Sequence, residues 1–248
     1  MLKTTVEHYV KTFECGPDKN IRINNLLLLF QEAAHVSAEN LGFGYTDMVK
    51  NNRVWVLSNL KLQFLSFPEW MDNIEVQTWP CGFNRLLAFR DYIVNDSKGN
   101  RCINATSDWL AIDIDSRKPF NMNDFRTPLP QAEERAMSEP LTRLNPKRMD
   151  VGNKIAEIKV PYSSIDENGH VNNSEYVKWT LDAMKANSMR IDNFSSLQIS
   201  FLSEVFENDT CEIFFAESGN FITLYGKKSD TGEFIFALKI ELMEEKVS

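Results

Sequence analysis

Strict alternation of apolar and polar residues marks the strands of this chain, and one amphipathic helical stripe stands near the start of each half. In the C-terminal half Phe234, Phe236, Leu238, Ile240 and Leu242 alternate, as do Cys211, Ile213 and Phe215. That period of two buries one face of each strand. In the N-terminal half Ile74 and Val76 alternate ahead of Trp79, and residues 59–64 and 104–113 read as strands, the latter with Trp109 and Ala111 on one face. Ser97-Lys-Gly-Asn100 and Ser229-Asp-Thr-Gly-Glu233 are turn signals, and connections that short join antiparallel neighbours.

The helical period appears once per half. After Asn172, a good N-cap with Glu175 three residues on for a capping box, Tyr176, Val177, Thr180, Leu181 and Met184 recur at helical spacing. Leu26, Leu27, Phe30 and Ala34 do the same in the first half, with Gly42 as terminator. The expected class is therefore α+β, with each long helix burying one face against an antiparallel sheet.

The two helix entrances read as copies of one unit. Asp166-Glu-Asn-Gly-His-Val-Asn-Asn173 aligns with Asp18-Lys-Asn-Ile-Arg-Ile-Asn-Asn25 at a spacing of 148 residues, through the Asp, the first Asn and the closing Asn pair. Ser200-Phe-Leu-Ser-Glu204 aligns with Gln63-Phe-Leu-Ser-Phe67 at 137, which puts eleven extra residues into the first copy's helix-to-strand connection around Gly42 to Trp55. In this alignment His170 faces Arg22 and Glu204 faces Phe67, so only the second copy has the full polar set. Pro128, Pro130, Pro140 and Pro146 with Glu133-Glu-Arg135 mark a linker over 128–150, between a first domain at 1–127 and a second at 151–248.

Composition narrows the function classes. A chain of 248 residues with 43% hydrophobic content can bury a sizeable core. No apolar stretch approaches the roughly 20 residues of a membrane span, and the N-terminal residues lack the pattern of a signal or transit peptide, so a soluble, cytoplasmic protein is expected. Cys15, Cys81, Cys102 and Cys211 are scattered without metal-type pairing, so free thiols are expected and neither a metal nor an organic cofactor. A net charge of −8 argues against nucleic acid. Lys147, Arg148, Arg85 and Arg90 read as solvated surface charge.

The polar set before the second helix carries the chemistry. A helix N-terminus offers unpaired N–H groups and a positive dipole end that can stabilise an oxyanion formed on an attacked carbonyl. Asn168 can hold a carbonyl or a water, His170 can donate or accept by tautomer, and Asp166 or Glu204 can activate water. There is no glycine-rich phosphate cradle, no GxSxG elbow and no HExxH helix. Against this, Asp166 and Asn168 are ordinary turn formers, and Glu204 beside Val205 and Phe206 also reads as the end of an apolar strand. His8 and His35 have no comparable company and read as solvated or packed residues.

These residues resemble the acyl-acyl carrier protein thioesterases of plants and bacteria. The likeness runs through residues 25–42 with Gln31-Glu-Ala33, Trp55-Val56, Phe67-Pro-Glu-Trp70, Ile74-Glu-Val-Gln-Thr-Trp79, Asn104-Ala-Thr-Ser-Asp-Trp109 and, most specifically, Asp166-Glu-Asn-Gly-His-Val-Asn-Asn173. It implies a tandem (double) hot-dog fold, each half a long helix wrapped by an antiparallel sheet. It also implies hydrolysis of a fatty acyl thioester on the phosphopantetheine arm of acyl carrier protein, releasing free fatty acid in fatty acid biosynthesis, by a monomer or homodimer.

By that resemblance the catalytic positions are Asp166, Asn168, His170 and Glu204, with chain-length choice in the first domain. Where plant members usually have Cys after the Glu, this chain has Val205, so water attack without an acyl-enzyme is expected. Which carboxylate takes the proton stays open. An acyl-coenzyme A thioesterase, a dehydratase of acyl thioesters and a non-catalytic acyl-thioester-binding protein remain alternatives.

Overall fold

A computed structural model describes residues 2–150 and 152–243 and divides the chain into two units, Met1–Leu141 and Thr142–Ser248. In the first, β1 (Thr4–Tyr9) precedes α1 (Ile23–Asn40), α2 (Tyr45–Lys50), β2 (Arg53–Phe64), β3 (Asn73–Phe83), β4 (Leu87–Asp96) and β5 (Arg101–Asp113). The strand order is β1-β3-β4-β5-β2, antiparallel throughout. In the second, β6 (Asn153–Lys159) precedes α3 (Asn173–Ala186), β7 (Phe194–Phe201), β8 (Thr210–Ser218), β9 (Phe221–Lys228) and β10 (Phe234–Leu242). Their order, β6-β8-β9-β10-β7, is the same path with every neighbour antiparallel.

The period-two and period-3.6 stripes meet in each unit's core. In unit 1 the buried residues Leu26, Phe30 and Ala33 of α1 face the sheet, and Phe30 packs on Tyr92 of β4 with ring centroids 4.9 Å apart. In unit 2 Tyr176, Val177, Thr180 and Met184 of α3 are buried, and Tyr176 packs on Phe236 of β10 at 5.4 Å. Each large apolar side chain among these, such as Leu26, Phe30, Val177 or Met184, contributes roughly 1.5–3 kcal/mol by leaving water. The predicted hairpin turns form, with Asp96 N–H bonding Asn100 O at 2.9 Å and Lys228 N–H bonding Glu233 O at 2.9 Å. Gly42, at φ +75, follows α1 as expected.

Several sequence expectations change. The copies are related by 150 residues at the helix entrance, not 148. The bridge Cys15↔Ile21 corresponds to Ile165↔Val171, left-handed Lys19 (φ 67) to Gly169 (φ 78), and the N-cap Arg22 to Asn172. His170 is therefore matched by Asn20, Asp166 by Gly16, and Arg22 is a cap residue rather than a replaced imidazole. Each Asp closes a side-chain turn onto the amide two residues ahead, but the two turns sit at different points of the loop, so the shared letters gave a false register. Beyond the helix the spacing is 137: Asp72 accepts from Glu69 N–H as Asp209 accepts from Phe206 N–H. The first copy thus has thirteen extra residues rather than eleven, among them α2, which is too short for its period to show.

The unit division falls inside the expected linker 128–150, and parts of that segment are firmly bound. Ala132 N–H donates to Pro80 O at 2.8 Å, Trp79 Nε1 donates to Glu134 O at 2.9 Å, and Arg135 Nε reaches the buried Asp91 Oδ2 at 2.9 Å. Within unit 2, Leu144 N–H donates to Ser200 Oγ at 2.9 Å. Proline excludes regular structure from such a segment, not attachment. Arg90 is also not solvated surface charge: burial lowers its pKa, and Nη1 donates to Thr78 Oγ1 at 3.2 Å.

Candidate active site

The turn 165–171 is built before the helix begins. Asp166 N–H donates to His170 O at 2.8 Å and Gly169 N–H to Asp166 O at 3.0 Å, with Gly169 at φ +78, a conformation glycine adopts without strain. Asp166 Oδ1 accepts the Asn168 N–H at 2.8 Å. One carboxylate oxygen thus closes an ordinary side-chain turn, and the other is left outside that bond. Asn168 sits exposed at the tip, and among the described residues its side chain bonds none of the other three candidates.

Glu204 is not in a strand. β7 ends at Phe201, and the loop that follows is pinned on two sides. Leu202 N–H bonds Ile235 O at 2.8 Å on β10, while Val171 N–H bonds Val205 O at 2.9 Å, tying the loop to the His170 turn. Val205 is fully buried, so the residue that replaces the plant-type cysteine is an anchor. Between these ties Glu204 Oε2 lies 3.6 Å from His170 Nε2, with both side chains partly exposed. An imidazole and a carboxylate predicted from residues 34 positions apart therefore meet, longer than a hydrogen bond but within ion-pair range when the ring is protonated.

The helix tip differs from expectation. Asn172 caps α3, but its Oδ1 takes the Ser174 N–H at 3.0 Å and its backbone oxygen takes the Glu175 N–H at 2.9 Å. Those two amides are spent inside the cap and do not serve an oxyanion. Nor does Glu175 close a capping box: it accepts from Ser164 Oγ at 2.8 Å and pairs with Lys178 at 3.2 Å. His8 also proves to have company, with Nε2 2.9 Å from Glu14 Oε2 in unit 1.

Four further residues, Phe206, Asp209, Lys228 and Tyr176, stand at the site. Phe206 meets the His170 ring edge-on at 5.0 Å. Asp209 holds the loop through Phe206 N–H at 3.0 Å and pairs with Lys228 at 3.4 Å. Tyr176, in the first turn of α3, is buried, and burial pushes its hydroxyl pKa up; the nearby Cys211, Asp166, Glu204 and Asp209 add to the rise, so the hydroxyl stays a donor. Tyr176 had read only as core. With the register at 150 its counterpart is Leu26, and that exchange would have flagged it. Lys228 had no sequence signal, because only sheet pairing brings β9 to this loop.

Unit 1 has no such set at the matching place. Asn20 stands for His170, Leu26 for Tyr176, and Phe67, stacked on Phe64 at 4.6 Å, for Glu204. Unit 2 therefore holds a partly exposed imidazole facing the Glu204 carboxylate, with Asp166 in the same turn. Cys211 is fully buried, and burial pushes its thiol up to about 12, which removes it as a nucleophile.

Such a pair of like-ordered, helix-bearing antiparallel sheets is the double hot-dog class. An acyl-ACP thioesterase from Bacteroides thetaiotaomicron superposes with a TM-score of 0.82 at 24% identity, covering 97% of this chain and 98% of that one. The 12:0-ACP thioesterase of Umbellularia californica superposes at 0.79 with 20% identity and 98% of both chains covered. At those identities the likeness establishes the fold.

The family follows from sequence. Residues 2–128 match the acyl-ACP thioesterase N-terminal domain and residues 147–247 the C-terminal domain, so the chain belongs to the acyl-ACP thioesterase family. Among relatives, an acyl-[acyl-carrier-protein] hydrolase of Cuphea viscosissima is 25% identical over 79% of this chain and 49% of its own length. An oleoyl-acyl carrier protein thioesterase of Arabidopsis thaliana is 26% identical over 82% of this chain and 60% of its own. The chain thus spans about half to three-fifths of the curated relatives it matches.

Proposed function

We propose that the protein hydrolyses the thioester of fatty acyl-acyl carrier protein to free fatty acid and carrier protein, by direct attack of water in unit 2. The observation that carries this is the His170–Glu204 pair at 3.6 Å beside the Asp166 turn, inside a chain of this family. The relatives named above are called hydrolases or thioesterases of acyl carrier protein, which supports the substrate class. We assign the first unit to the acyl chain and the second to the chemistry.

Two carboxylates take two roles in this reading. Asp166 has Oδ1 engaged by the turn, and its Oδ2 acts as general base to water. Glu204, facing the imidazole at 3.6 Å, orients the ring so that His170 can donate to the thioester oxygen as charge develops there. Asn168 at the turn tip orients the water or the thioester. A reducing compartment suits the four free cysteines, and we place the protein in the cytoplasm; fractionation that recovers it elsewhere removes that placement.

Purified protein incubated with acyl-carrier-protein and acyl-coenzyme A thioesters, with thiol release followed, tests the reading. Faster turnover of the carrier-linked substrates is expected, and Asp166→Asn and His170→Gln should each lower kcat by about 100-fold or more. Preference for coenzyme A would shift the substrate class, and no release from any thioester would leave a binding protein. Full turnover by Asp166→Asn would remove it from the base role.

A further inference from the structure

We infer that Phe206 is a positioning residue that holds the His170 imidazole against Glu204, an inference that rests on the catalytic assignment of that pair. The Phe206 and His170 ring centroids are 5.0 Å apart with an interplanar angle of 68°. The terminal torsion of a histidine is broad and weakly preferred on its own. An edge-to-face aromatic partner favours one ring orientation over the others. The fold does not depend on that ring, because Phe206 is 45% exposed and lies outside the core.

Its backbone is fixed independently of the ring. Phe206 N–H donates to Asp209 Oδ2 at 3.0 Å, and the preceding Val205 is bonded through its carbonyl to Val171. The ring has a second neighbour, the Lys228 ammonium, 5.7 Å from its centroid and 3.4 Å from Asp209 Oδ2. Lys228 is only 15% exposed, so the cation is anchored where it stands. The imidazole is thus flanked by a ring that itself lies beside a partly buried ion pair.

Unit 1 provides the internal control. Its turn is closed in the same way by Asp72, but Glu69 stands where Phe206 does, and Asp96, paired with Ile74 as Lys228 is paired with Cys211, stands where Lys228 does. Loop folding therefore requires neither the aromatic ring nor the cation. Both accompany the imidazole.

The test uses the full chain and the carrier-linked thioester turned over fastest in the panel above. Phe206→Leu, which keeps apolar bulk without the ring, should lower kcat about tenfold with KM unchanged within about twofold, since misorientation costs turnover rather than binding. Phe206→Tyr should restore most of the loss, and thermal midpoints should match wild type for both. In a His170→Gln background Phe206→Leu should have no further effect. Wild-type kcat in Phe206→Leu, or an equal loss in the His170→Gln background, would overturn the positioning role. Full turnover by His170→Gln alone would instead overturn the underlying site assignment, whatever Phe206→Leu does.

Discussion

Asp108 on β5 allows a stability prediction with its sign and size worked from the structure. The residue is 4% exposed, and its Oδ2 accepts from Asn59 Nδ2 at 3.0 Å. Burial pushes its pKa from 3.8 up to about 6; the Asn59 hydrogen bond and the Arg135 charge pull it back, and the Asp91 charge adds to the rise. A carboxyl raised in the folded state binds its proton more tightly there than in the unfolded chain. Its contribution is therefore most favourable below the unfolded value near 4 and is lost as pH rises through about 6. A gap of about two units corresponds to about 3 kcal/mol of penalty once both states are ionised.

Asp108→Asn keeps an acceptor for Asn59 and removes the charge. It should stabilise the protein by up to about 3 kcal/mol at pH 8, by about half of that at pH 5 and by little at pH 4. Urea unfolding of both proteins at those three pH values measures the difference. A gain that does not change with pH, or a variant less stable than wild type at pH 8, would show that the Asp108 carboxylate is better solvated or paired than its surroundings indicate.

Two other outcomes follow from buried groups. Arg135→Met removes the charged side-chain partner of Asp91, whose side chain is fully buried, but leaves the Ala136 N–H bonded to Asp91 Oδ2 at 2.7 Å. A loss of about 2 kcal/mol is expected, below the usual cost of breaking a buried pair because Arg135 is partly exposed, and urea unfolding reads it. Cys81 and Cys211, both pushed up to about 12 mainly by burial, should resist iodoacetamide at pH 7.5 in the native protein. Mass spectrometry that finds either one rapidly alkylated would contradict that burial, and thioester hydrolysis should persist in Cys211→Ser.

The duplication is informative because the two units keep one scaffold and differ at the site. Strand order, the turn before the helix and the Asp that closes the loop after the second strand are shared between the units. Asn20, Leu26 and Phe67 replace His170, Tyr176 and Glu204 within that frame. A polar pocket costs stability unless its groups are satisfied. The unit that lost the imidazole also closed the acid's place with stacked Phe64 and Phe67.

Sequence alone determined what depends on local periodicity and on the chemistry of neighbouring residues. Alternation set the strands around Ile74, Cys211 and Phe234, helical spacing set α1 and α3, and glycine-bearing turns set the hairpins. Asp166, Asn168 and His170 could be seen together because one turn contains all three. Tertiary structure decided what depends on pairing across the sheet and on side-chain hydrogen bonds. It placed Glu204 in a loop held by β10, brought Phe206 to the imidazole and Lys228 to Phe206, spent the Ser174 and Glu175 amides in the helix cap, and fixed the repeat at 150. Contacts of that kind carry no signature in spacing along the chain, because the sheet joins residues by register, and register is chosen by the whole core rather than by any segment of it.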